Sequence, residues 1–121
     1  MNLKRLDHVT VNCADLASSR AFYGRALGMR EGDRPAFDFP GAWFYLDDRP
    51  VVHLVGAAAG PRGPTGAFDH LAFEALAIDE VRARFREEGL GFEESVVPGA
   101  QLRQLFVHDP DGVKIELNFR D

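Results

Sequence analysis

The chain has 121 residues, 45% of them hydrophobic and 27% charged, which suits one compact domain with a buried core. Its formal net charge of −5 excludes the basic surface that binders of nucleic acid or anionic membranes use, so we expect neither as a partner. Cys13 is the only cysteine, which excludes an intrachain disulfide and makes a reducing cytoplasm the expected location.

The first half of the chain reads as a strand, a helix and three more strands. Alternation predicts the first strand at residues 6–12. Asp15 is the predicted N-cap of a helix over residues 16–27, and Gly28 fits its C-terminal end. Short apolar runs between turn residues then predict strands at 36–39, 42–47 and 51–55.

Residues 56–67 are rich in glycine, alanine and proline, a composition typical of a linker. The second half then repeats the order of the first. We predict a helix at 78–88, a turn at 109–112, and strands at 68–74, 92–97, 102–108 and 113–119. The prediction is an α+β fold of two βαβββ modules, at about 1–56 and 68–121, within a single domain of residues 1–121.

The repeat places a possible metal ligand at each end of each half. His8 lies in Leu-Asp-His-Val, and His70 lies in Phe-Asp-His-Leu 62 residues later. His53 follows His8 by 45 residues, and Glu116 follows His70 by 46. Duplicated donors in a duplicated fold can meet around one site.

The apolar neighbours of these donors predict which face of the sheet they occupy. Side chains alternate along a strand, so a donor between residues that pack on a helix faces the other way. The apolar neighbours are Val9 and Val11 after His8, Leu71 and Phe73 after His70, and Ile115 and Leu117 on either side of Glu116. His53 has apolar neighbours throughout, and only the repeat assigns its face.

If the sheet curls, the four donors converge in a cup. Imidazole nitrogens and a carboxylate suit one divalent cation, whether Zn, Ni, Fe, Mn or Co. A single His or Glu on a strand is more commonly hydrogen-bonded or solvated, but the repeated positions together favour ligands. We therefore predict a metal site at His8, His53, His70 and Glu116.

Glu116 is the only carboxylate of the four and hence the predicted catalytic base. Gln104 faces the same cavity by alternation, which makes it and its neighbour Arg103 candidates for substrate contact. Trp43, Phe37 and Phe39 could line the pocket, although aromatic side chains more commonly pack in a core.

Three stretches of the chain resemble the vicinal oxygen chelate superfamily, which includes glyoxalase I, extradiol dioxygenases and bleomycin-resistance proteins. They are residues 6–11 with 19–23 and 27–28, then 69–73, then the most specific, 106–117. Residues 34–43 with 52–54 resemble the small glyoxalase-I-like group of bacteria and plants. The resemblance implies paired modules that form a metal-binding cup, the four ligands named above, and a homodimer whose modules pair within or across chains.

The resemblance also implies a metal-dependent lyase or isomerase of the glyoxalase I kind. Its small substrate, for example a thiol adduct, would chelate the metal through adjacent oxygens. His53 stands where bacterial glyoxalase I usually has Glu, which makes the site more positive. Two alternatives stay open: an Fe(II)-dependent dioxygenase of a catechol-like substrate, using His8, His70 and Glu116, and a non-catalytic small-molecule binding or resistance protein.

Overall fold

The computed structural model describes residues 4–56, 65, 66, 68, 70–97 and 101–121. The chain divides into two compact units, Met1–Pro61 and Arg62–Asp121. Their boundary falls inside the predicted linker, of which residues 57–64 and 67 lie outside the described part. In the described part, no helix combines the length and the apolar character needed to cross a membrane.

The first unit has the predicted βαβββ order. The elements are β1 (Val9–Asn12), α1 (Leu16–Ala21, continued by a π-helix at Phe22–Ala26), β2 (Arg30–Gly32), β3 (Gly41–Leu46) and β4 (Arg49–Val55). In the described residues of this unit the sheet order is β1-β4-β3-β2, with β1 parallel to β4 and the other neighbours antiparallel.

The predicted helix begins and ends where expected, but its second half is not α-helical. The Asp15 carboxylate accepts the backbone N–H of Ala17 at 3.1 Å and of Ser18 at 3.4 Å, as an N-cap should. Leu27 N–H then bonds the carbonyl five residues back, 3.0 Å away, which widens the last turns into a π-helix. Gly28 ends the segment with φ 74°, a conformation that favours glycine.

The prediction of a strand at 36–39 is wrong. The strand beside β3 is β2, at Arg30–Gly32. Residues 36–39 lie between Pro35 and Pro40, which have no N–H to give to a sheet. The Phe37 N–H turns back to the Pro35 carbonyl at 2.8 Å, and the apolar side chains of this segment pack on one another instead.

The second unit repeats the topology of the first. The elements are β5 (Leu71–Ala75), α2 (Ile78–Glu87), β6 (Glu93–Val97), β7 (Leu102–His108) and β8 (Lys114–Phe119). In the described residues of this unit the sheet order is β5-β8-β7-β6, and β5 runs parallel to β8. The α+β class and the duplicated βαβββ order are confirmed.

The turn between β7 and β8 is also confirmed, and one carboxylate organises it. Asp109 is only 5% exposed, and its Oδ1 accepts the N–H groups of Asp111 at 2.9 Å and Val113 at 2.8 Å. Gly112 follows with φ 87°. The turn therefore fixes where β8 starts and so where Glu116 falls.

Burial along the strands alternates as the sequence predicts. In β4 the side chains of Val52 and Leu54 are buried on either side of His53, and α1 packs against this strand. In β8 the side chains of Ile115 and Leu117 are buried on either side of Glu116. In each unit the predicted donor thus lies on the face opposite the buried side chains.

Candidate metal centre

In the first unit, the parallel pairing of β1 with β4 brings His8 to His53. Thr10 is the register partner of His53, and His8 lies just before β1. The two imidazole rings stack with centroids 3.9 Å apart and planes 11° apart. Trp43, the partner of His53 on β3, stacks on the same imidazole at 3.8 Å and 10°. His53 is thus held by rings from two neighbouring segments.

Hydrogen bonds set which histidine nitrogens could reach a metal. His8 Nδ1 lies 2.6 Å from Asp7 Oδ2, a contact that lowers the pKa of the Asp7 carboxyl. This arrangement leaves Nε2 of His8 for a ligand, as a carboxylate behind a metal-binding histidine commonly does. His53 Nε2 lies 3.0 Å from the Pro50 carbonyl oxygen, so Nδ1 is the nitrogen that this bond leaves.

Electrostatics favour the metal-binding form of His53. Burial lowers the pKa of its imidazole below the ordinary value, and the nearby His8 ring adds to the shift. A neutral imidazole is the form that coordinates a cation.

In the second unit, the parallel pairing of β5 with β8 brings His70 to Glu116. Ala72 is the register partner of Glu116, and His70 lies just before β5. His70 Nε2 and Glu116 Oε1 are 3.4 Å apart, with the Glu116 side chain 13% exposed. Two ligands on one cation, with bonds of about 2.1 Å at right to tetrahedral angles, lie about 3.0–3.4 Å apart. This pair therefore fits a shared divalent ion.

The other oxygen of Glu116 is held by a residue that sequence reasoning missed. Asn118 Nδ2 donates to Glu116 Oε2 at 2.9 Å, and Gln104 Nε2 donates to Asn118 Oδ1 at 3.0 Å. An amide two residues after a strand carboxylate shares its face, which is the signal that could have identified Asn118. Asp7, hydrogen-bonded to His8, is a second residue whose role the sequence pattern does not predict.

The residues predicted to contact substrate do not all lie on the same face as the donors. Gln104 shares the face of Glu116, but Arg103 pairs with Phe119 and so lies on the opposite face. Phe37 and Phe39 stack on each other at 4.9 Å, and the Phe37 ring also lies 6.4 Å from that of Trp43.

Trp43 and His53 line a cavity of about 490 Å³ in the first unit. Charged side chains of both signs surround it. The remaining lining residues are Arg5, Asp7, Asp48, Arg49 and Pro50. The cavity places a polar, partly aromatic binding surface beside one predicted ligand.

Each unit thus gathers two of the four donors on its own sheet. Within the described residues, no group of three or more His, Cys, Asp or Glu side chains lies where one ion could bind them all. A four-ligand centre depends on both units together, so it stays a prediction. The donors' chemistry, imidazole nitrogen and carboxylate oxygen, fits a borderline divalent cation.

Comparison with known proteins places the chain in a family. Residues 5–117 match the model of the Glyoxalase/Bleomycin resistance protein/Dioxygenase superfamily. Glyoxylase I 4 of Arabidopsis thaliana is 31% identical over 97% of this chain and 71% of its own length. Lactoylglutathione lyase of Salmonella typhimurium is 32% identical over 93% of this chain and 90% of its own length.

A solved structure gives the same result. A glyoxalase/dioxygenase from Nostoc punctiforme superposes with a TM-score of 0.77 at 26% identity, covering 98% of this chain and 92% of that one. With two βαβββ units and these relatives, the chain belongs to the Glyoxalase/Bleomycin resistance protein/Dioxygenase superfamily.

Proposed function

We propose that this protein is a metal-dependent lyase of the glyoxalase I kind. The observation that carries the proposal is the His70–Glu116 pair: a largely buried carboxylate beside an imidazole, at the spacing of two ligands on one ion. His8, His53, His70 and Glu116 would hold the cation. A bound divalent cation would supply Lewis-acid stabilisation of negative charge that develops on substrate oxygens.

The chain's own residues account for the proton transfer. Glu116 is the carboxylate of the set, and it would take a proton from the carbon next to the substrate carbonyl and return it to the neighbouring carbon. The hydroxyl proton of the substrate would also pass to the former carbonyl oxygen, so substrate and product are isomers and no further reactant is needed. The low exposure of Glu116 keeps bulk water away from the carboxylate.

The relatives suggest the class of substrate. The Salmonella typhimurium relative is named for lactoylglutathione, a thiol conjugate. We propose a small thiol adduct with adjacent oxygens, received beside Trp43 and His53 in the cavity with charged walls.

The donor set also favours a second candidate. Two histidines and one carboxylate, here His8, His70 and Glu116, are the ligands of non-haem Fe(II) oxygenases. Turnover of a catechol-like compound with Fe(II) and O₂ would support that function. Ligand binding that needs no metal would instead support a non-catalytic binding or resistance protein.

Metal loading with a fluorescence readout tests the proposal without relying on activity. Trp43 is the only tryptophan and stacks on His53, so Ni²⁺ or Co²⁺ bound at His53 should quench its emission. His53→Ala and His70→Ala should each raise the metal concentration needed for half-maximal quenching by tenfold or more, while His108→Ala should leave this concentration unchanged. His108 is an exposed histidine outside the proposed ligand set.

Turnover then separates the candidates. The loaded wild type should convert hemithioacetals of 2-oxoaldehydes to thioesters. A protein that binds no divalent metal, or that loses no binding when His70 is replaced, would overturn the proposal. We also propose a homodimer, which light scattering would show as twice the 13.4 kDa chain mass.

A further inference from the structure

Two amide side chains form a series of hydrogen bonds that ends at Oε2 of Glu116, the carboxylate oxygen that does not face His70. Asn118 donates to Glu116 Oε2 at 2.9 Å, and Gln104 donates to Asn118 Oδ1 at 3.0 Å. Gln104 and Asn118 are direct register partners on β7 and β8, and all three side chains are partly buried.

The carboxylate fixes the direction of this series of hydrogen bonds. If the Asn118 amide were reversed, its oxygen would face Glu116 Oε2, and two acceptors would be left in contact. Asn118 therefore presents its NH₂ group to Glu116 and its oxygen outward. The Gln104 NH₂ group then satisfies that oxygen, so each amide orients the next.

The two units of the duplicated fold can be compared position by position. In the first unit His53 occupies the strand position that Glu116 has in the second, with Trp43 and Phe106 as the respective cross-strand partners. Two residues further along, the first unit pairs Gly41 with Val55, where the second pairs Gln104 with Asn118. The amide pair occurs only beside the donor that is a carboxylate.

We infer that Asn118 is a positioning residue for Glu116, and that Gln104 acts through Asn118; the inference rests on the proposed role of Glu116. Holding Oε2 fixes the rotation of the carboxylate, so Oε1 points to His70 before any metal or substrate arrives. A carboxylate whose second oxygen is hydrogen-bonded loses less freedom when its first oxygen binds a ligand. Partners of this kind typically contribute tenfold to hundredfold to metal affinity.

Substitutions that replace the amides with apolar side chains test the inference. Co²⁺ affinity, read from its visible absorption, should fall by about tenfold or more in Asn118→Leu. Gln104→Leu should give a smaller loss. The double variant should bind as weakly as Asn118→Leu alone, because Gln104 acts only through Asn118. Ser95→Ala, on β6 beside Gln104, is the matched control and should bind as the wild type does.

A metal-free readout keeps the test independent of the proposed function. In crystals of metal-free Asn118→Leu, Glu116 should turn away from His70, while the metal-free wild type keeps the pair together. Wild-type protein that binds no Co²⁺ would contradict the proposed function but leave this comparison decisive. Glu116 in an unchanged position, or Co²⁺ affinity within twofold of wild type in a protein that binds Co²⁺, would overturn the inference.

Discussion

Ala77 is a residue in a conformation that its side chain disfavours. Its φ of 61° and ψ of 65° lie in the left-handed region, immediately before α2. The Ala77 N–H donates to the carboxylate of Asp121 at 2.9 Å, which holds the backbone there. The left-handed conformation costs a residue with a Cβ about 1 kcal/mol relative to glycine.

Ala77→Gly should therefore raise the free energy of unfolding by about 1 kcal/mol, because glycine adopts this conformation without strain. The same change at Ala83, exposed within α2, should lower it by about 1 kcal/mol, because glycine is a poor helix former. Urea denaturation of both variants measures the two opposite changes in the free energy of unfolding. A loss of stability in Ala77→Gly would contradict the strain assigned to this residue.

Glu116 is the residue on which the proposed reaction depends. Glu116→Gln preserves size and can still accept the hydrogen bond from Asn118 on its amide oxygen, but it cannot act as an anionic base. We expect turnover of a hemithioacetal to fall by about a hundredfold or more, with Co²⁺ binding weakened but present. Glu74→Gln, an exposed carboxylate on β5, should keep wild-type turnover. Full activity in Glu116→Gln would exclude the proposed mechanism.

At the scale of elements, an ion pair links α2 to the edge strand β6. Arg82 Nε donates to Glu94 Oε1 at 2.7 Å, and its Nη2 donates to Oε2 at 2.6 Å. The hydrogen bonds from Arg82 lower the pKa of the Glu94 carboxyl below its ordinary value of 4.5. The folded protein therefore binds fewer protons at this group than the unfolded chain does.

This shift predicts how stability depends on pH. The contribution of the pair is complete above the ordinary pKa of 4.5 and is lost as the pH falls through the lower folded value. From about pH 5.5 to about pH 3.5, the unfolding midpoint of the wild type should fall more steeply than that of Glu94→Gln. Glu93→Gln, an exposed neighbour on β6, should keep the wild-type slope. Parallel slopes for wild type and Glu94→Gln would show that the pair contributes nothing.

A strand could be predicted from the sequence where its apolar side chains alternate toward one buried face of the sheet. Residues 102–108 and 113–119 alternate against one buried face, and the observed strands match within one residue. Residues 36–39 alternate equally well but lie between two prolines, and their aromatic rings pack against Arg34 rather than joining the sheet. Observed β2 at Arg30–Gly32 has three residues and no apolar side chain, so its sequence carries no strand signal.

At the scale of the whole molecule, duplication explains why the donors come in pairs. Each unit pairs its first and last strands in parallel, which brings together side chains 45 or 46 residues apart. One unit supplies two imidazoles, and the other supplies an imidazole and a carboxylate. The proposed four-ligand site would use both pairs, because two protein ligands seldom hold a transition metal firmly.

Stoichiometry tests this sharing. We expect one divalent ion per chain, measured by elemental analysis after dialysis. His8→Ala and His70→Ala should each weaken binding, and the double variant should lose less than the sum of the two effects, because both ligands serve one site. His108→Ala serves as the control. Two ions per chain, or strictly additive losses, would show two independent sites.

The sequence by itself determined the order of the elements and the repeat. It also determined the face of His8, His70 and Glu116 through alternation along each strand, and the face of His53 through the repeat. It also supplied the donors' chemistry, because imidazole nitrogens and carboxylate oxygens are groups that can bind borderline divalent cations. Only the tertiary structure decided which side chains meet. The His8–His53 stack, the His70–Glu116 spacing and the amide chain from Gln104 through Asn118 depend on strand register. The first two of these contacts depend on the parallel pairing of β1 with β4 and of β5 with β8, which joins segments far apart in the chain and which no local pattern specifies.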